Sequence, residues 1–365
     1  MAPVSLSVII PVYKESALLE TVLAKLLEDK YQPKEIIVTI DEPTEKSRDL
    51  ARKMRGQVKF HLNPQRLGKA VALNQAVKDS SGEILFFLDG DVDIKDQDHN
   101  FLSVLVEEMR DTDLLDIRKG VIRQSFLSRL ISYDFLVINM TNWIYSRSGR
   151  ALGINGSAFA VKRQVFDKLG GFKAVLSEDM DFTMRCFLAD CRFKFTNKIE
   201  VLNEVPNTWK AWYAQRMRWA IGSLLWFKDY YKEIGKSLVK YPIFLLPLII
   251  VCTPSIIFTV SYLLTYNLLY GALTILLLPF SPILAGVTLL VKWAIAFVIY
   301  ITGFGVSSSL FKVISAKLRY LYYFAEYVVY FFVYSPLLLA VTLIGFIHLI
   351  LRYENIVETQ VRWEI

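Results

Sequence analysis

Short apolar runs alternate with amphipathic stretches through the first ninety or so residues of the chain. Ser5–Val12 reads as a buried strand, Glu15–Asp29 as a helix and Glu35–Asp41 as a second strand. Arg48–Met54 is patterned as a helix, Gln57–Leu62 as a strand, Lys69–Val77 as a helix and Glu83–Asp89 as a strand. Such alternation predicts βαβ units on a parallel sheet, whose crossovers put the strands' carboxyl ends on one edge. Val12, Asp41 and Asp89 fall on that edge.

From about Phe101 to Glu204 helical patterns mix with short strands, of which Ser157–Val161 and Phe193–Thr196 are the clearest. Thr208 to about Phe227 is helical and sets Trp209, Trp212, Trp219 and Trp226 among basic residues, the make-up of a helix lying in a bilayer interface. Ile243–Leu264 is long enough to cross a membrane, Leu268–Phe311 has room for two spans, and Leu321–Ile350 makes a fourth. Basic residues in the loops do not choose between four spans and three. The expected organisation is an α/β, Rossmann-like domain over 1–205, interfacial helices over 206–240, an all-α transmembrane domain over 241–351 and a tail over 352–365.

Composition supports that division. Hydrophobic residues make up 54% of the chain and mean hydropathy is +0.36, because charged residues become sparse between Ile243 and Ile350. The net charge of +7 suits anionic headgroups and phosphorylated ligands, and a solvated basic surface equally. No nucleic-acid motif is present, so no nucleic-acid partner is expected. Cys186, Cys191 and Cys252 lack zinc-like spacing, and His61, His99 and His348 are scattered. Met1–Val12 has no basic n-region, so membrane delivery is expected from the C-terminal spans. Those spans carry only Lys292, Glu326 and His348 as ionisable groups, which argues against a transporter with a charged conduit.

The chemistry-bearing residues stand in a fixed order. Asp89-Gly90-Asp91 at a strand end can hold Mg²⁺ or Mn²⁺ against a nucleotide diphosphate; with Asp93 and Asp96 following, a solvated acidic turn is the plainer reading. Asp41 can accept from a base or ribose hydroxyl, or cap the next helix. Lys69 at a helix start can neutralise phosphate, or be a surface lysine. Ser177 reads as the cap of a helix opened by Glu178-Asp179. Near that positive helix end Asp179 is expected to stay ionised, as a general base must. Gln215, Arg218 and Trp219 share one helix face, the arginine suited to a leaving diphosphate and the indole to a sugar ring, or all of them to interfacial anchoring.

Taken together the order resembles the family 2 glycosyltransferases, especially the membrane-integrated branch with cellulose, chitin and hyaluronan synthases. The resemblance runs from Ser7-Val8-Ile9-Ile10-Pro11-Val12-Tyr13 through Asp41, Gly68-Lys69-Ala70, Leu73-Asn74, Asp89-Gly90-Asp91 and Asn155-Gly156-Ser157-Ala158. It continues through Gly170-Gly171-Phe172, Glu178-Asp179 and Gln215-Arg216-Met217-Arg218-Trp219. It implies the GT-A fold and an inverting, metal-dependent hexosyltransferase using a UDP- or GDP-sugar. Carried over by position, Asp41, Lys69, Asp89, Asp91, Gln215 and Arg218 bind the donor, and Asp91 binds Mg²⁺ or Mn²⁺. Asp179 and Arg218 are then catalytic, and Glu178 and Trp219 meet the acceptor. The acceptor is a growing polysaccharide, or alternatively a membrane lipid such as a polyprenyl phosphate, a ceramide-like lipid or diacylglycerol. The location implied is the cell membrane, with the catalytic domain cytoplasmic. The large synthases carry helices ahead of the catalytic domain that are not seen here, and these few spans enclose a polymer channel only if subunits associate as a homo-oligomer.

Overall fold

The computed structural model describes residues 4–95, 99–246 and 268–359. Residues 247–264 of the first expected span lie outside the described residues, as do Asp96, Cys252 and the end of the tail with Trp363. The chain forms two compact units, Met1–Phe244 with Ile344–Ile365, and Leu245–Leu343.

The first unit is built on eight strands: β1 (Leu6–Tyr13), β2 (Lys34–Asp41), β3 (Lys59–Asn63), β4 (Ile84–Leu88), β5 (Val92–Lys95), β6 (Leu114–Val121), β7 (Ala158–Lys162) and β8 (Phe193–Asn203). They form one sheet in the order β3-β2-β1-β4-β7-β6-β8-β5. The first three neighbouring pairs, β3/β2, β2/β1 and β1/β4, are parallel, as the βαβ pattern requires. Strand β7 then runs antiparallel to both β4 and β6. Val8, Ile9, Ile10, Ile37 and Val38 are wholly buried, which is why these strands read as unbroken apolar runs. Asp89, Gly90 and Asp91 alone join β4 to β5, although three strands separate them in the sheet. A flat sheet would need about 19 Å for that step, and the link reaches only about 14 Å. The sheet therefore curls, and the two carboxylates sit where it folds back.

The helices α1 (Leu19–Glu28), α2 (Glu45–Lys53), α3 (Lys69–Lys78), α4 (Phe101–Met109), α5 (Phe126–Ser148), α6 (Arg163–Lys168), α7 (Glu178–Leu188) and α8 (Trp209–Lys240) complete this unit. Helix α5 begins with a capping box between Ser125 and Ser128 and ends on Gly149 at φ 66°. It buries polar side chains against β6: the Asn142 amide donates to Asp116 at 2.7 Å, and Asn139 bonds both backbone groups of Lys119 at 2.9 and 2.7 Å. Lys119 and Asp116, both fully buried, pair with each other.

In the second unit the apolar block expected to make two spans is a helix over Leu268–Leu277, a turn, and one continuous helix over Pro282–Lys317. The last expected span is helical from Phe324 through a π-helical turn at Tyr330–Tyr334. Pro282–Lys317 and Phe324–Leu351 are long and apolar enough to cross a membrane. Phe304, Phe311, Tyr327, Tyr330 and Phe331 pack ring on ring between them.

Candidate active site

Parallel register sets Tyr13 beside Asp41, and Asp41 beside Asn63, at the carboxyl edge of the sheet. Asp41 is buried and does not cap α2; Thr44 does, accepting from the Ser47 amide at 3.3 Å. Asp41 Oδ1 instead accepts from the Asn63 amide at 2.9 Å, and Oδ2 from the backbone N–H groups of Leu67 and Gly68 at 3.0 and 2.9 Å. Gly68 has φ +87°, a conformation that favours glycine, so the Asp41 carboxylate fixes the turn from which α3 starts at Lys69. One residue of this edge, Arg66, carried no sequence signal of its own. The Arg66 guanidinium lies 4.4 Å over the half-exposed Tyr13 ring, whose hydroxyl donates to Glu42 at 3.0 Å.

Lys69 is not a free surface lysine. Its Nζ lies 2.7 Å from Asp89 and 3.3 Å from Glu178, joining the end of β4 to the start of α7. Burial opposes its charge, but Asp89, Glu178 and Asp179 outweigh that and push the ammonium pKa above its ordinary value. Gly90 is needed for space, since a Cβ there would sit 2.8 Å from the Val12 side chain. Asp93 is tied to Lys25 at 2.6 Å within β5 and is not part of a solvated turn. Asp91 is exposed and pairs with no cation among the described residues. Crowding by protein atoms and the charge of Asp89 push its carboxyl up to about 6.

Ser177 stands at the N-cap position of α7 but its side chain makes no cap bond. Asp179 Oδ2 accepts from the Gly156 amide at 2.6 Å and Oδ1 from its own helix at the Met180 amide, 2.8 Å. Burial raises its carboxyl, and Lys69 and the two amide donors only partly offset that. Glu178 is raised too, first by burial, then by Asp179, against the pull of Lys69. Glycine is again required: a Cβ on Gly156 would come within 2.6 Å of Asp179. The Gly170-Gly171-Phe172 loop is gripped from both sides, by the Asn74 amide of α3 on Phe172 at 2.8 and 2.9 Å, and by Arg185 of α7 on Gly171 at 2.8 Å.

On α8, Arg218 is exposed and makes no ion pair with a described residue, and Gln215 keeps a buried Oε1 without a hydrogen bond. Trp219 is half-buried with the Arg216 guanidinium 4.3 Å over its ring. No hydrogen bond or ion pair links Gln215, Arg218 or Trp219 to the acidic cluster among the described residues. Arg216, which the sequence did not single out, is buried and pairs with Asp134 of α5 at 2.7 Å. Of the tryptophans expected to anchor in lipid, Trp209 is half-exposed, Trp212 is buried, and Trp226 donates to the Met180 carbonyl at 3.2 Å.

No group of three or more His, Cys, Asp or Glu side chains able to hold a metal ion occurs among the described residues. The donor set nevertheless fits a hard divalent ion in part: Asp91 offers an unpaired carboxylate oxygen beside the like charge of Asp89, and phosphate oxygens complete such shells.

Comparison with known proteins places this geometry. Residues 7–170 match the family model described as Glycosyl transferase family 2, and residues 97–351 match that described as Glycosyl transferase family group 2. The probable glycosyltransferase YdaM of Bacillus subtilis (strain 168) is 26% identical over 234 residues, covering 60% of this chain and 54% of its own. Poly-beta-1,6-N-acetyl-D-glucosamine synthase of Staphylococcus aureus (strain COL) is 26% identical over 244 residues, 64% of this chain and 58% of its own. The chain thus spans little more than half the length of these relatives. The mannosyltransferase PcManGT from Pyrobaculum calidifontis, solved in complex with GDP-Man and Mn²⁺, superposes with a TM-score of 0.52 at 22% identity, covering 64% of this chain and 65% of that one. The fold is the expected GT-A fold, followed by a helical region.

Proposed function

Because this chain belongs to Glycosyl transferase family group 2, we propose that it transfers a hexose from a UDP- or GDP-sugar to a growing polysaccharide at the cell membrane. The observation that carries this reading is the simultaneous ion pairing of Lys69 with Asp89 and Glu178. It brings acids from a strand end and from a helix start to one place, next to the donor edge of the sheet.

The nucleoside rests on the edge formed by Tyr13 and Asp41. Asp41 accepts three protein hydrogen bonds and retains about one lone-pair site for a ribose or base donor. Lys69, Asp89, Gln215 and Arg218 surround the diphosphate. Asp91 would hold Mg²⁺ or Mn²⁺, which would supply neutralisation of the diphosphate charge; the complex of PcManGT with GDP-Man and Mn²⁺ supports that choice. Asp179 takes the proton of the acceptor hydroxyl. The hydroxyl oxygen bonds to the anomeric carbon as the bond from that carbon to the diphosphate oxygen breaks, and the nucleoside diphosphate leaves with the electron pair. A single displacement inverts configuration, so an α-linked donor gives a β-linkage. Arg218 offsets charge on the leaving group, and Glu178 and Trp219 frame the acceptor.

The two long apolar helices and the exposed rings of Trp209, Tyr213 and Phe227 on α8 support residence at a bilayer. Cytosolic donors then place the catalytic unit on the cytoplasmic side. The alternative acceptor is a membrane lipid such as a polyprenyl phosphate, a ceramide-like lipid or diacylglycerol. Purified protein with Mn²⁺ or Mg²⁺ and radiolabelled UDP-glucose, UDP-N-acetylglucosamine or GDP-mannose separates these outcomes. A product ladder supports polymer synthesis, one organic-extractable glycolipid supports the lipid acceptor, and transfer from none of these donors refutes the reading.

A further inference from the structure

Helix α8 is tied to the first turn of α7 by one face, at residues spaced four apart. Gly222 packs so closely on Ser177 that a Cβ there would sit 2.3 Å from the serine Oγ. One turn on, the Trp226 indole N–H donates to the Met180 carbonyl at 3.2 Å. One turn further, the Tyr230 hydroxyl donates to Asp181 Oδ1 at 2.7 Å, and Asp181 is itself held by Arg185 at 2.8 Å. Glu178 and Asp179 lie between these anchored positions.

We propose that Gly222 and Trp226 are positioning residues that set where Asp179 stands relative to Arg218 and Trp219 on the same helix, α8. This rests on the proposed role of Asp179 as base. Arg218 precedes Gly222 by one helical turn, about 6 Å along the axis. Any shift at the Gly222–Ser177 contact therefore changes the spacing between the group that takes the proton and the group that meets the leaving diphosphate. Neither residue is among those proposed above to bind donor or acceptor. Nearby Trp226 also packs with Leu152, Met184 and Phe244, so its ring serves the core while its N–H serves α7.

The test exploits the separability of these contacts. Gly222→Ala should lower kcat about tenfold or more while donor KM stays within about twofold, since misplacement of reacting groups acts on the chemical step. Adding Ser177→Ala removes the clashing oxygen and should restore kcat, whereas Ser177→Ala alone should leave it unchanged. Trp226→Phe leaves a smaller aromatic ring in that packing and removes the N–H, and should lower kcat by a larger factor than it weakens donor affinity, with the fold retained by melting. Full activity in Gly222→Ala, or no recovery in the double variant, would overturn the proposal. So would a loss in Trp226→Phe matched by equal losses of donor affinity and thermal stability. Transfer by the wild-type protein is read in the same assay, so a failure of the proposed activity shows itself there and not in the variants.

Discussion

Arg216 of α8 and Asp134 of α5 form an ion pair at 2.7 Å with side chains only 3% and 9% exposed. Breaking one half of such a pair strands the other charge away from water. Arg216→Met alone should cost about 3–5 kcal/mol and lower the melting temperature in detergent. Combining it with Asp134→Leu should recover most of the loss. A single variant as stable as the parent would show that the pair does not hold α8 in place.

Asp179 accepts one backbone N–H on each oxygen, so an asparagine keeps its shape and loses its basicity while satisfying only one of the two N–H groups. Asp179→Asn should retain binding of the nucleoside diphosphate by calorimetry while transfer falls about 10²–10⁴-fold. Turnover at the wild-type rate would remove the base role from this residue.

Burial raises the Asp179 carboxyl, and the base works only when ionised. The acid limb of kcat/KM should therefore lie above the ordinary carboxylate range, with activity lost as pH falls through it. Lys69 pulls that limb downward, so Lys69→Met should move it to higher pH. A limb that stays put in the variant would separate Lys69 from the titration.

Stacking of a base on an aromatic ring is worth about 1–3 kcal/mol. Tyr13→Ala should accordingly weaken UDP or GDP binding about 5- to 160-fold, with kcat at saturating donor little changed. Unaltered affinity in a titration would place the nucleoside elsewhere.

Strands β1, β2 and β4 were legible because strands buried on both faces must be apolar throughout. Strand β6 was not, for its sequence Leu-Leu-Asp-Ile-Arg-Lys-Gly-Val hides three charged residues that only tertiary pairing makes tolerable: Asp116 with Lys119, and Arg118 with Glu200 at 3.4 Å. Helix α5 was obscured for the same reason, since Ser132, Asp134, Asn139 and Asn142 point inward and blur its apolar stripe. Helix α8 runs unbroken to Lys240, through the whole segment expected to hold interfacial helices and past the Thr208–Phe227 stretch whose pattern is clearest, with its later turns packed through Ile234 on Phe244 and Met184. In the candidate site, strand ends advertised Asp41 and Asp89. The pairings within the site were not legible: Gly68 with Asp41, Gly156 with Asp179, and Glu178 as the second anion of Lys69 join segments remote in the chain.

The helix Pro282–Lys317 is 36 residues long, about 54 Å at 1.5 Å per residue, whereas the oily interior of a bilayer is about 30 Å thick. Set across a bilayer, even at a steep lean, a rod of that length would leave several turns outside the oily layer, and Lys312 and Lys317 in its final two turns would fall at the level of the phospholipid heads.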